Sequence, residues 1–131
     1  MAKGVPMILD TCALLWLASG GGKLSRGTLK RIQESPAVYV SAISGFEIAL
    51  KSANGKLKLP IPIENWFNDV IEQHSLTLLP LDLELCIAAA HLPGIHKDPA
   101  DRFILAAAQL NKVPVVTTDE QFEKYGVTVL S

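Results

Sequence analysis

The stretch His96-Lys97-Asp98-Pro99-Ala100-Asp101-Arg102 runs straight into Phe103-Ile104-Leu105-Ala106-Ala107-Ala108, and few folds accommodate it. It predicts a helix start. Asp98 suits the N-cap and Pro99 the first helical position, while Asp101 lies in the first turn, where a carboxylate meets exposed backbone N–H groups. The body from Phe103 to Leu110 is almost wholly apolar, so this helix should be buried among other layers. Two carboxylates are thereby held at the mouth of a buried helix.

The rest of the chain supplies those layers by alternating short strands with helices. Met7-Ile8-Leu9 reads as a buried strand, Cys12 to Ala18 as a short helix stopped by Ser19-Gly20-Gly21-Gly22, and Ser25 as the cap of an amphipathic helix to about Glu34. After Pro36, Val38-Tyr39-Val40 is a second strand. Ser44-Gly45-Phe46-Glu47 reads as a capping box opening a helix that ends at Asn54-Gly55. Lys56 to Pro62 is a linker with apolar teeth, and Glu64 to Gln73 an amphipathic helix. Leu76-Thr77-Leu78-Leu79 is a third strand, and Leu83 to Leu92 a mostly buried helix ended by Pro93-Gly94. Val113 to Thr117 is a fourth strand, Asp119-Glu120 opens one more helical turn, and Val127 to Leu130 is a last strand. This order predicts an α/β fold with a parallel sheet covered on both faces.

At 131 residues the chain reads as a single domain, 1–131, with room for one core. The longest apolar run, Cys12 to Ala18, is far too short for a bilayer. Met1-Ala2-Lys3-Gly4-Val5-Pro6 lacks an apolar signal core and a cleavage site, so a cytoplasmic location is expected. Cys12 and Cys86 form no framework and read as free thiols. A net charge of −1 exerts no global pull on nucleic acid; any such surface must be local.

Four acids have informative positions. Asp10 follows the first strand, Glu47 opens the helix after the second, Asp101 opens the central helix, and Asp119 follows the fourth strand. In an open parallel sheet, strand C-termini and the helix starts after them share one edge, where ligands bind, so these acids are expected to converge. Each also has a plain structural role open to it: a turn with Thr11 for Asp10, the capping box for Glu47, a helix-start acid for Asp98 and Asp101, a cap for Asp119. The apolar neighbours Ile8-Leu9, Ile48-Ala49-Leu50, Phe103-Ile104 and Val115-Val116 place the set at the rim of a packed core. Partly desolvated carboxylates within a few ångströms repel by roughly 4 kcal/mol per pair at an effective dielectric of about 20, so the cluster requires a hard cation. Oxygen ligands without His or Cys point to Mg²⁺ or Mn²⁺. Such an ion lowers the pKa of a water and neutralises charge on a phosphodiester; two ions would lie about 3.5–4 Å apart.

Four blocks carry a resemblance. Ile8 to Trp16, Val40 to Ala49, His96 to Arg102 and Thr117 to Phe122 look like the motif blocks of PIN-domain ribonucleases, most closely of the VapC-type toxins of bacterial type II toxin–antitoxin pairs. The likeness spans about Met7 to Leu130, with the blocks in the family's order. It implies a PIN-like three-layer α/β/α sandwich and Mg²⁺- or Mn²⁺-dependent endonucleolytic cleavage of RNA, often tRNA or ribosomal RNA, by metal-activated water. It implies a cognate VapB-like antitoxin that blocks the site, and a homodimer. Carried over residue by residue, Asp10, Glu47, Asp101 and Asp119 match the family's acidic quartet, both as catalytic residues and as metal ligands. Asp98 reads mainly as the helix cap, with a supporting role at the site as the other reading. Cys12 stands where His is expected and Ala100 where Phe is expected, and neither is expected to touch the acids.

Other residues admit two readings. The Thr11 and Ser44 hydroxyls either orient an acid or a metal-bound water, or act as caps. Lys51 and Arg102 either hold RNA phosphate and offset the acids, or are solvated or ion-paired. Lys23, Arg26, Lys30 and Arg31 read as a wet helix face before a phosphate track. His91 and His96 read as structural. Trp16, Leu57, Leu59, Trp66 and Phe67 read as core, with an antitoxin groove or dimer face as the alternative. Two rival functions remain: a housekeeping PIN nuclease in RNA maturation or decay without an antitoxin, and a non-enzymatic binder of the same fold. The binder would be marked by a missing acid, and none is missing.

Overall fold

A computed structural model describes residues 4–131; the first three residues of the N-terminal stretch considered above lie outside it. The elements are β1 (Met7–Leu9), α1 (Thr11–Ala18), α2 (Arg26–Glu34), β2 (Val38–Ser41), α3 (Ala42–Ala53), α4 (Ile63–Gln73), β3 (Leu76–Leu79), α5 (Leu83–His91), α6 (Pro99–Asn111), β4 (Val115–Val116), a 3₁₀ helix (Glu120–Tyr125) and β5 (Val129–Leu130). The described strands form one five-stranded sheet of order β3-β2-β1-β4-β5, parallel throughout.

The strand order explains the layers. From β1 the chain steps outward to β2 and β3, then returns to the other side of β1 for β4 and β5. Right-handed crossovers in opposite directions put their helices on opposite faces. Side-chain alternation along β1 serves both. Met7 and Leu9 pack with Leu14, Leu17, Ile32, Ile48 and Val70 from α1 to α4, whereas Ile8 packs with Leu85, Ile104, Leu105 and Phe122 from α5, α6 and the 3₁₀ helix. The result is the expected three-layer α/β/α sandwich. As its apolar body predicts, α6 is buried over Ile104 to Ala108. Among the described residues no helix is long and apolar enough to cross a membrane.

Two local expectations are corrected. The helix after β2 begins at Ala42, and Ser41 rather than Ser44 caps it, its Oγ accepting the Ile43 N–H at 3.1 Å. Because β2 passes into α3 with no connecting residue, Ser41 ends the strand and caps the helix at once. Glu47 therefore lies in the second turn, with no capping box. In α5 only Leu85 and Ala89 are buried. Leu83 is 75% exposed and Ile87 48%, because only one side of this helix meets the sheet layer and α6.

Candidate active site

Where the strand order reverses, the connections leaving the carboxyl ends of β1 and β4 run to opposite faces of the sheet, and this is where open α/β sheets bind ligands. A cleft of about 210 Å³ opens there, lined by Asp10, Glu47, Asp98, Asp101 and Asp119 together with Thr11, Cys12, Lys51 and Thr118. Residues 109 positions apart thus share one wall.

Each acid is placed by backbone. The Asp10 N–H donates to the Val116 carbonyl across the β1–β4 pair at 3.1 Å. Its side chain caps α1, with Oδ1 accepting the Ala13 N–H at 2.7 Å. Asp119 caps the 3₁₀ helix through Oδ1 and the Gln121 N–H at 2.9 Å, and its own N–H donates to the buried Thr117 hydroxyl at 3.0 Å. Asp98 caps α6, accepting the Ala100 N–H at 2.9 Å, and Asp101 follows in the first turn. Glu47 projects from α3, with Oε2 4.0 Å from Lys51 Nζ one turn on.

The electrostatics carry the mark of crowding. Burial, opposed by the Thr117 hydroxyl and the Ala13 N–H, and reinforced by the charges of Asp119 and Glu47, raises the Asp10 carboxyl above its ordinary 3.8. Burial first, then the Asp98 charge, push Asp101 up to about 7, with His96 opposing and Glu47 and Asp10 adding to the rise. Glu47 Oε1 is buried without a hydrogen-bond partner among the described residues. An orphaned carboxylate oxygen beside two acids that burial and repulsion hold above their usual range fits a hard divalent ion bound through oxygen.

Several side chains fall differently from expectation. His96, read as structural, sits between two of the acids: its Nε2 lies 2.7 Å from Asp119 Oδ2 and 3.1 Å from Asp101 Oδ2, and donor atoms of these three residues lie within 4.8 Å of one another. The signal in the sequence was its position two residues ahead of the cap Asp98. Cys12, expected to stand clear, lines the same cleft. Burial, then the Asp10 charge, push its thiol up, so it keeps its proton near neutrality and offers no thiolate. Ala100 is buried, and its backbone N–H donates to Asp98 Oδ1. Arg102 neither faces the cleft nor pairs with an acid. Its guanidinium donates to the carbonyls of Ala89, Ala90, Leu92, Pro93 and His96 at 2.6–3.3 Å, closing the end of α5. Thr11 and Ser44 hydrogen-bond to each other through their hydroxyls at 2.8 Å, tying α1 to α3. Lys23, Arg26, Lys30 and Arg31 are exposed around α2, outside the cleft. Trp16, Leu57, Leu59, Trp66 and Phe67 pack against the core, whereas Phe46, 62% exposed, and Leu50 stand out from α3 beside Glu47.

Comparison with known proteins adds an independent line. The family model described as PIN domain matches residues 7–127. The chain is similar to Ribonuclease VapC22 of Mycobacterium tuberculosis, 27% identical over 121 residues that cover 91% of each. Its fold is similar to that in a crystal structure of VapBC2 from Rickettsia felis bound to a DNA fragment from their promoter, at TM-score 0.69 and 14% identity over 96% of this chain and 97% of that one. It is also similar to a chain in the structure of FitAB bound to an IR36 DNA fragment, at TM-score 0.65 and 26% identity over 95% and 93%.

Proposed function

This chain belongs to the PIN-domain family, and from that premise we propose that it is a metal-dependent endoribonuclease, the toxin of a type II toxin–antitoxin pair. The observation that carries the reading is the meeting of Asp10, Glu47, Asp101 and Asp119, from four separate elements, on one small cleft. A relative named as a ribonuclease and a fold shared with the VapBC2 and FitAB structures support it.

Asp10, Asp101 and Asp119 would hold Mg²⁺ or Mn²⁺, with Glu47 completing the set through its unpartnered Oε1. When bound, such an ion supplies a water of lowered pKa and positive charge against the phosphodiester. The remaining steps belong to the chain. Helix N-termini at Asp10, Asp98 and Asp119 aim backbone N–H groups toward the acids and partly offset their charge. Glu47 orients the attacking water. Lys51, at the rim, draws the phosphate in and tempers the Glu47 charge. No side chain need bond covalently to the RNA.

The partners follow from the same reading. The substrate is tRNA or ribosomal RNA. A VapB-like antitoxin blocks the cleft, and the exposed Phe46 and Leu50 beside Glu47 give it an apolar seat. A homodimer is supported by Leu83 and Ile87, one turn apart and exposed on α5. The protein acts in the cytoplasm as a single domain.

The test is a Mg²⁺ titration with a fluorescent RNA. Product release that depends on Mg²⁺ and disappears with EDTA is expected from the unaltered chain and is absent from Asp10→Asn. Cleavage by Asp10→Asn at the unaltered rate would overturn the assignment. Growth arrest on expression, relieved by a small DNA-binding protein encoded next to it, separates a toxin from a housekeeping nuclease.

A further inference from the structure

The connection between α5 and α6 holds a side chain the chemistry above does not use. His96 sits between two carboxylates, and three donor atoms within 4.8 Å invite its assignment as a nitrogen ligand to the cation. The other ring nitrogen decides against that. Nδ1 lies 3.2 Å from the Asp98 backbone nitrogen, whose N–H it accepts. A ring nitrogen that accepts a hydrogen bond carries no proton, so the ring proton is on Nε2. Nε2–H donates to Asp119 Oδ2 at 2.7 Å, with Asp101 Oδ2 3.1 Å from the same nitrogen, leaving no lone pair for a cation.

The ring is held in this state from every side. The His96 N–H donates to the Tyr125 hydroxyl at 2.6 Å, and that hydroxyl donates to the Pro93 carbonyl at 2.7 Å. The His96 carbonyl accepts from Arg102 Nη1 at 3.1 Å. The ring stands edge-on to the buried Phe122, centroids 5.8 Å apart, and the side chain is only 10% exposed. Turning the ring over would break the bonds at both nitrogens.

We propose that His96 is a positioning residue: fixed as the Nε2–H tautomer by the Asp98 N–H, it anchors Asp119 Oδ2 beside Asp101 Oδ2, so that the cation is bound by oxygen alone. This rests on the reading that Asp101 and Asp119 hold the ion. It assigns a purpose to the spacing His96-Lys97-Asp98: the residue that caps α6 with its side chain sets the tautomer with its backbone. Partners that hold metal ligands in place affect metal affinity without touching the metal.

Two measurements on the full chain test it. Long-range ¹H–¹⁵N correlation spectra report the histidine tautomer directly. The Nε2–H form is expected both without metal and with saturating Mg²⁺; loss of the Nε2 proton on adding Mg²⁺ would make His96 a ligand and overturn the proposal. Calorimetric Mg²⁺ titration then compares His96→Gln, whose amide can donate from nearly the same place, with His96→Leu, which cannot. Affinity within about threefold of the unaltered chain is expected for His96→Gln, and a loss of about tenfold or more for His96→Leu, with thermal unfolding in EDTA confirming that both are folded. Equal weakening in the two variants would overturn the positioning role. Unchanged Mg²⁺ affinity in Asp101→Asn would instead overturn the metal assignment, a failure that the tautomer spectra of metal-free protein do not share.

Discussion

Two clefts lie at opposite edges of the sheet. The larger, about 520 Å³, opens where β2 and β3 begin, among Leu17, Leu29, Ile32, Ala37, Val38 and Ser75. The smaller, about 210 Å³, opens where β1 and β4 end. The larger holds no acidic residue. The smaller is lined by the buried Asp10 and Thr11, and the buried Ser44, His96 and Thr117 hydrogen-bond to residues of its lining. The difference is a consequence of direction. In a parallel sheet, strand carboxyl ends and helix N-termini share one edge, so caps and carboxylates gather there and are stabilised by backbone N–H groups. At the other edge the helices end and present carbonyls. Volume alone does not gather acidic side chains in this molecule; chain direction does.

The comparison can be broken most sharply by charge. Asp101→Asn should lower the rate of RNA cleavage at least about a thousandfold, a loss of roughly 4 kcal/mol of transition-state stabilisation, while Ile32→Ala in the larger cleft should leave cleavage per folded molecule unchanged. A comparable loss from Ile32→Ala would erase the distinction between the two edges. Ile32→Ala should instead cost about 2–4 kcal/mol of stability on urea unfolding, as a buried side chain truncated in the core.

Arg102→Ala should cost about 2–3 kcal/mol by the same measurement, since five carbonyls lose a charged donor. It should also weaken Mg²⁺ binding, because the connection carrying His96 is released. Stability loss with unchanged Mg²⁺ affinity would show that the guanidinium serves only the end of α5.

A pH series on metal-free protein sharpens the electrostatic half. Asp101 ionises near 3.8 when unfolded and near 7 when folded. Between these values the folded state holds the proton and the unfolded state does not, so its contribution to stability is full below about pH 3.8 and is lost as pH rises through 7. Asp10, raised by burial, acts in the same direction. The melting temperature should therefore fall across this window in EDTA, the fall should shrink in Asp101→Asn, and saturating Mg²⁺ should oppose it. A rise in melting temperature across the window, present in the unaltered chain but absent from Asp101→Asn, would refute the crowding. The smallest effect is expected from Cys12→Ser, with cleavage within about twofold, because a thiol that burial and the Asp10 charge keep protonated adds nothing to the donor set.

Much of this was legible residue by residue. Asp98-Pro99 as a helix start, Ser25 as a cap accepting the Thr28 N–H, and the apolar run after Asp101 as a buried helix all depend on neighbours a few positions away. The misreadings share the opposite character. Ser44 followed by Glu47 satisfies the pattern of a capping box, yet β2 runs directly into α3 and Ser41 takes the cap. Arg102 beside Asp101 suggested a cation for the acids, yet i and i+1 point to different sides of a helix, and its guanidinium meets α5 instead. His96 reads as structural from its neighbours alone; that it meets Asp119, 23 residues away, no nearby residue signals.

The amino-acid order by itself determined the alternation of strand and helix, the caps, and the presence of four acids at positions bound for one edge, because these are local consequences of side-chain shape and backbone hydrogen bonding. Only the tertiary structure decided that β4 lies beside β1, that the His96 ring reaches Asp119, and that a cysteine shares a cleft with the carboxylates. Those facts depend on which strands pair and how closely layers pack. Pairing across a hundred residues is set by the summed burial of two cores, which no short stretch of the chain contains.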